Sequence, residues 1–295
     1  MWLKGNLHTH TNQSDGDAPP NAVAAWYAGH GYDFLAITDH NLLTRPAEEH
    51  GLQLLTGTEI SLVAERKPIH VNAFNIGDLA VIAKPDAGIV ETLQDAVNAA
   101  NAAGGLPMIN HPNFKWAFGP AEMARVAGWS LLEIHNASTD CNNFGYGGRM
   151  GVEAMWDELL SAGLRVFGVA ADDAHDFLKE RWGHVSPPGL AWVQVCATDR
   201  SARAIVSALQ AGDFYASTEI VVEQWARDGD TLRLPIRPQR DYTYTTHFIG
   251  QRGRALASVD GINAAYPIRG DERYVRAKVC SSNGGWAWTQ PHFIG

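Results

Sequence analysis

From the N-terminus to about residue 217, short apolar runs alternate with stretches whose apolar residues recur at helical spacing. Pro19-Pro20 opens a helical pattern over Val23 to His30 that Gly31 stops, as proline entry and glycine exit predict. Asp33 to Ile37 reads as a strand, followed by strand-like Leu52 to Leu55 and Ile69 to Ile76. Ile89 to Ala103 is Ala-rich and helical, closed by Gly104-Gly105. Leu106 to Ile109 and Leu131 to Ile134 read as strands, and Glu153 to Ala162 as a helix stopped by Gly163. Strands over Leu164 to Ala170 and Leu190 to Cys196 and a helix over Ser201 to Ala211 complete the series. This rhythm predicts an α/β fold with a mainly parallel sheet, closed or nearly closed into a barrel.

After Ser217 the texture changes. Tyr242 to Thr246, Tyr274 to Val279 and Trp286 to Thr289 alternate apolar and polar residues between Gly- and Asn-rich turns. The expected organisation is a barrel over residues 1–217 with a β-rich extension over 218–295 packed on it.

The polar residues of the first part fall in one place. His8, His10, His40, Glu59, His111, Asp173 and His175 sit at or just past the C-terminal end of an expected strand. In an α/β barrel those ends share one face, where ligands and reacting groups gather. His8-Thr9-His10 and Asp173-Ala174-His175 are pairs at i and i+2, which project to one side of an extended segment. Asp172 then points the other way. With Asp15 and His70 the set has nine members, all imidazole or carboxylate, which suits zinc, manganese or iron. The absence of thiolates disfavours a structural zinc site. His30, His50, His184, His247 and His292 read as ordinary surface or core residues, and His135 as intermediate.

Composition narrows the rest. The chain has 295 residues, 45% hydrophobic and 19% charged, with 23 Lys+Arg against 32 Asp+Glu for a net charge of −9. That balance argues against a surface that coats long nucleic acid or an anionic membrane. It leaves an anionic small substrate open, because bound metal inverts the local field. Cys141, Cys196 and Cys280 lack paired spacing and read as reduced thiols of a cytoplasmic protein. No signal peptide or membrane-spanning run is visible. A homo-oligomer is compatible with all of this.

The segments His8-Thr9-His10 with Ser14-Asp15-Gly16, Thr38-Asp39-His40, Gly57-Thr58-Glu59, Ile69-His70, Asn110-His111-Pro112 and Asp173-Ala174-His175, in this order, resemble the motifs of the PHP (polymerase and histidinol phosphatase) metallohydrolases. Asp172 to His175, Gln210 to Thr218 and Ala287 to Pro291 resemble its carbaryl-hydrolase-like (CehA/McbA) branch. The resemblance implies a distorted (β/α)7-type barrel with a small C-terminal β-rich extension, and two or three divalent metal ions. His8, His10, Glu59 and Asp173 would hold the first metal, Glu59 would bridge to a second held by His70 and His111, and Asp15, His40 and His175 would hold a third. Asp15, His40, Glu59 and Asp173 would carry the catalysis.

Six imidazoles and three carboxylates contribute about −3; two divalent ions bring the site to about +1 and three to about +3, which attracts phosphate. The expected reaction is hydrolysis of a small phosphomonoester or phosphodiester by attack of a metal-bridging hydroxide. Alternatives are a carbamate or carboxylic ester hydrolase, and a nuclease acting on short oligonucleotides. Arg149 and Arg181 are the preferred substrate-binding residues, followed by Arg45, Lys115 and His135, with Lys179 in a comparable loop position; arginine's planar fork suits phosphate. A metal-binding module without activity is disfavoured because the full ligand set is present.

Overall fold

A computed structural model describes residues 1–78, 87–178 and 186–294. The first part of the chain runs β1 (Trp2–Asn6), α1 (Pro20–Gly29), β2 (Phe34–Ile37), β3 (Gln53–Ala64), β4 (Lys67–Phe74), α2 (Ile89–Ala102) and β5 (Leu106–Ile109). A short α3 (Pro120–Met123) leads to β6 (Leu131–Asn136), α4 (Val152–Ser161), β7 (Phe167–Ala171), β8 (Trp192–Cys196), α5 (Ala202–Ala211) and β9 (Phe214–Ser217).

The α/β class is as expected, but the sheet departs from a regular barrel. Strands β1–β2–β3 and β5–β6–β7 are parallel, whereas β4 runs antiparallel between β3 and β5. The cause is local. Glu65 and Arg66 both adopt positive φ, 52° and 63°, so the chain turns back after two residues instead of crossing over through a helix. That hairpin makes β3 a strand of 12 residues, far longer than the Leu52 to Leu55 run suggested.

Nor is the sheet closed. Its order ends at β7, and β8 pairs antiparallel with the free edge of β1. One parallel bridge, Thr9 to Ala174, ties the chain just past β1 to the chain just past β7. Leu7, Phe34, Leu55, Met108, Leu131, Val169 and Val193 fill the inside of this curved sheet. Ile60, Val97, Leu132, Ile134 and Trp156 pack its outside against α2 and α4.

Beyond residue 217 follow β10 (Ala226–Asp228), β11 (Thr231–Pro235), β12 (Tyr244–Gly250), β13 (Arg254–Asp260), β14 (Asn263–Pro267), β15 (Tyr274–Ser281), β16 (Trp286–Thr289) and β17 (His292–Phe293). Strands β10, β11 and β14 form a small separate sheet. The others continue the main one, because β16 pairs with β9 in the register Trp288 to Ala216. A buried ionic contact ties β15 to α4: Arg276 donates to Asp157 through Nε at 2.8 Å and Nη2 at 2.6 Å. Tyr274 adds its hydroxyl to the same carboxylate at 2.9 Å. Among the described residues no helix is long and apolar enough to cross a membrane.

Candidate metal centre

The segment after β1 stays extended because it is bonded on one side to the end of β7: His10 N–H donates to Ala174 O at 2.9 Å and Asp173 N–H to His8 O at 3.0 Å. Alternation then turns His8 and His10 to the same side, with ring centroids 5.2 Å apart. His40 follows β2 and bridges to Glu59, which lies midway along β3 rather than at a strand end. His70 comes from β4, paired with Ser61 across the hairpin. His111 follows β5, and Asp173 and His175 follow β7.

All nine expected ligands converge. Glu59 stands at the centre, buried: its Oε1 lies 3.3 Å from His8 Nε2, 3.1 Å from His70 Nδ1 and 3.3 Å from His111 Nε2. Its Oε2 lies 2.8 Å from His40 Nδ1 and 3.6 Å from His10 Nε2. Asp173 Oδ1 is 3.1 Å from both His8 Nε2 and His10 Nε2. Asp15 closes the outer side, with Oδ2 3.3 Å from His40 Nε2 and Oδ1 3.3 Å from His175 Nε2. Four subsets could each hold an ion: His8-His10-Glu59, Glu59-His70-His111, His10-Asp15-His40-His175 and His8-His111-Glu133. His10 faces both the first and the third.

The loop carrying Asp15 is pinned by Asp39, whose carboxylate accepts from Thr11 N–H at 2.7 Å, Thr11 Oγ1 at 2.6 Å and Ser14 Oγ at 2.6 Å. Gly16 permits the turn: a Cβ there would lie 2.7 Å from the carbonyl oxygen of His10. Asp172 turns away from the cluster. Its carboxylate accepts from the backbone of Gly189, Leu190 and Ala191 and from Tyr27 Oη.

The electrostatics are those of a cation trap. Burial disfavours a charge on His40, yet hydrogen bonds to Asp15 and Glu59 outweigh it and raise its pKa to about 10. His175 behaves likewise, rising to about 9 against the cost of burial through Asp15 and Asp173. Burial also penalises the Glu59 carboxylate, but the imidazoles of His70 and His8 hold it well below the usual range. The field that draws protons onto these imidazoles would draw a metal ion equally.

Whether metal fits is decided by unsatisfied atoms. His8 Nε2, His10 Nε2 and His70 Nδ1 are buried and have no hydrogen-bond partner, although each faces a carboxylate oxygen. Buried polar atoms are nearly always paired, and metal ions between these nitrogens and carboxylates would satisfy them. The donor set of imidazole and carboxylate without thiolate suits hard-to-borderline divalent ions.

The cluster opens into a cleft of about 330 Å³, lined beyond the ligands by Phe114, Ser138, Thr139, Asp140, Cys141, Asp176 and Ser186. The expected substrate-binding residues are not among the described ones that line it. Arg149 is exposed and stacks over the Trp116 ring at 4.6 Å. Lys115 is exposed beside Phe114, with its Nζ 4.9 Å from that ring. Arg45 borders a separate cavity with Glu49 and Leu54. His135 packs outward on Trp288, with ring centroids 5.3 Å apart. Loop charges have no periodicity to aim them, so sequence position alone gave no direction. Lys179, Arg181 and His184 lie outside the described residues.

Glu133, Asn110 and Asn136, all buried, escaped the sequence reading. Glu133 bonds His8 Nδ1 at 2.8 Å, and Asn110 donates to Glu59 Oε1 at 2.8 Å. An acid inside an apolar strand, as in Leu131-Leu132-Glu133-Ile134, was the available signal for the first.

No protein-family model matches the chain. A 5'-3' exoribonuclease of Haemophilus influenzae is 26% identical over 176 residues, covering 55% of this chain and 64% of that protein. The chain therefore spans less than two thirds of that relative. Among solved structures, a two-domain protein of Bacteroides vulgatus, described as containing a predicted PHP-like metal-dependent phosphoesterase, superposes with a TM-score of 0.58. It is 17% identical, over 99% of this chain and 95% of that one. The two share a fold. An amidohydrolase of Chromobacterium violaceum, with bound sulfate and no metal, gives a TM-score of 0.45 at 16% identity over 62% of this chain and 93% of that one.

Proposed function

We propose that this chain is a metal-dependent hydrolase of the PHP type, in its carbaryl-hydrolase-like branch, that cleaves small phosphoric mono- or diesters in the cytoplasm. The observation that carries the reading is the convergence of unpartnered His8, His10 and His70 nitrogens on the Glu59 and Asp173 carboxylates. We assign residues 1–217 to the hydrolase unit and 218–295 to an extension that supports it.

His8, His10, Glu59 and Asp173 would hold one divalent ion, Glu59, His70 and His111 a second, and Asp15, His40 and His175 a third, as zinc, manganese or iron. Such ions, when bound, supply Lewis acidity and hydroxide at neutral pH. The chain's part is to fix charge and exclude disorder. Glu59 is held from three sides by Asn110, His70 and His40, so its two oxygens stay divided between the two halves of the cluster. Asp15, whose side chain is 52% exposed, is the carboxylate of the ligand set that reaches the mouth of the cleft. Phosphate oxygens would be neutralised by the ions; the hydroxyls of Ser138, Thr139 and Ser186 and the carboxylates of Asp140 and Asp176 would face the alcohol portion of the substrate.

A second reading, cleavage of short oligonucleotides, is favoured by the exoribonuclease relative. The net charge of −9 keeps it to short substrates. One panel separates these readings: p-nitrophenyl phosphate, bis(p-nitrophenyl) phosphate, naphthyl methylcarbamate and a 5'-phosphorylated dinucleotide, assayed after chelation and after restoring single metals. Turnover of a phosphoester that vanishes on chelation and returns with metal is expected. Undiminished turnover in chelated protein would rule out the mechanism, and cleavage of the carbamate alone would move the substrate class.

A further inference from the structure

Strand β6 breaks its own alternation one step from the metal centre. Its register against β7 runs Leu131 to Phe167, Leu132 to Gly168 and Glu133 to Val169, then resumes with His135 opposite Ala170 and Asn136 opposite Ala171. Ile134 is the extra residue of a β-bulge. In a regular strand, residues 131, 133 and 135 would face inward and Asn136 outward. Here Leu131 and Glu133 face in, Ile134 packs outside against the helices, His135 lies on Trp288, and Asn136 returns to the inside. Bulges re-aim side chains in this way beside functional sites.

The residues so placed bond to each other and to the ligands. Asn136 Nδ2 donates to Glu133 Oε2 at 2.9 Å and to Asp173 Oδ2 at 3.0 Å. Its Oδ1 accepts from Ser138 N–H at 2.9 Å, which fixes the amide orientation. Glu133 Oε1 lies 2.8 Å from His8 Nδ1, and Glu133 Oε2 also accepts from the backbone N–H of His111 at 2.9 Å. Both side chains are buried.

We propose that Glu133 and Asn136, brought to one face by the bulge at Ile134, are positioning residues that aim three ligands of the candidate metal centre. Glu133 accepts a hydrogen bond from His8 Nδ1–H, so the lone pair sits on Nε2, the atom that faces Glu59 and Asp173. The same carboxylate anchors the backbone of His111. Asn136 occupies Asp173 Oδ2 and leaves Oδ1 toward His8 and His10. Glu133, His8 and His111 also bring ligand atoms close enough for one ion, but the three hydrogen bonds on the two oxygens of Glu133 assign it to orienting ligands instead. Partners of this kind orient a metal-binding imidazole and raise its basicity.

This inference rests on the metal-centre reading, and the test separates the two. The full chain is stripped with chelator and titrated with Zn²⁺ or Mn²⁺ by calorimetry, as wild type, Glu133→Gln and Asn136→Ala, with native folding verified by near-UV dichroism. Glu133→Gln keeps the shape but offers an amide where two donors need an acceptor. Both variants should keep the wild-type number of ions, with affinity weakened about 10- to 100-fold. Unchanged affinity in both, or loss of a whole metal equivalent in Glu133→Gln, overturns the proposal; the latter would make Glu133 a ligand. Should Glu133→Gln fail to fold, Asn136→Ala decides alone, because it leaves the Glu133–His8 bond in place. A wild type that binds no divalent ion defeats the metal-centre reading itself.

Discussion

Asp173 sits in the left-handed backbone region at φ 50° while its Oδ1 lies 3.1 Å from His8 Nε2. An aspartate tolerates that conformation better than most residues, and asparagine tolerates it as well. Asp173→Asn therefore removes the charge without disturbing the turn. The variant should melt within a few degrees of the chelated wild type, a change of about 1 kcal/mol or less, yet bind at least one fewer divalent ion. Metal content by mass spectrometry beside a thermal melt checks both halves; wild-type metal content would show that the carboxylate is not a ligand.

Metal should stabilise the fold. The cluster gathers Asp15, Glu59, Asp173 and the adjacent Glu133 around six imidazoles, and this arrangement exists only in the folded chain. An ion that binds the native state alone stabilises it by about 2.7 kcal/mol at 100 times its Kd. Thermal melts of chelated protein with added Zn²⁺, Mn²⁺ or Mg²⁺ should rise with concentration, least for Mg²⁺, which prefers all-oxygen coordination. A flat response to every ion would contradict the site.

Arg276 joins β15 to α4. It is buried, bonded bidentately to Asp157, and its Nη1 lies 2.9 Å from Glu153 Oε1. Removing one partner of such a pair leaves a buried charge uncompensated and costs about 3–5 kcal/mol. Arg276→Ala should lose stability on that scale in denaturant melts, whereas the double change Arg276→Met with Asp157→Leu should recover part of it. Loss below about 1 kcal/mol in the single variant would mean that the ionic contact contributes little.

His135 makes stability depend on pH in its own way. Burial, with Lys278 nearby, lowers its pKa to about 4 although Glu133 and Glu153 pull the other way. The folded state thus keeps it neutral where the unfolded chain, with a pKa near 6.5, binds a proton. Between those values the unfolded state holds more protons, so stability is present above about pH 6.5 and falls as pH drops toward 4. His135→Phe keeps a ring against Trp288 and removes the titration. Relative to wild type, the variant should gain about 2 kcal/mol on going from pH 7 to pH 5; parallel stability curves would contradict it.

What the sequence determined by itself is local in origin. The His8/His10 pair was legible because side-chain direction in an extended segment depends only on parity, and Asp173 and His175 because polar residues that end an apolar run mark a strand's end; Asp173 itself is left-handed at φ 50°, so parity does not aim it. Helix limits at Pro19-Pro20, Gly104 and Gly163 were legible because proline and glycine act on their own backbone. What only the tertiary structure decided depends on neighbours. Glu65-Arg66 carries no Asn-Gly signal, yet pairing of β3 with β4 holds it in a hairpin that turns one strand antiparallel and brings His70 to Glu59. Regular alternation would turn His135 inward and Asn136 outward; one extra residue opposite β7 reverses both. Arginines on loops could not be aimed from the sequence, since nothing periodic relates a loop side chain to a cleft built from other strands.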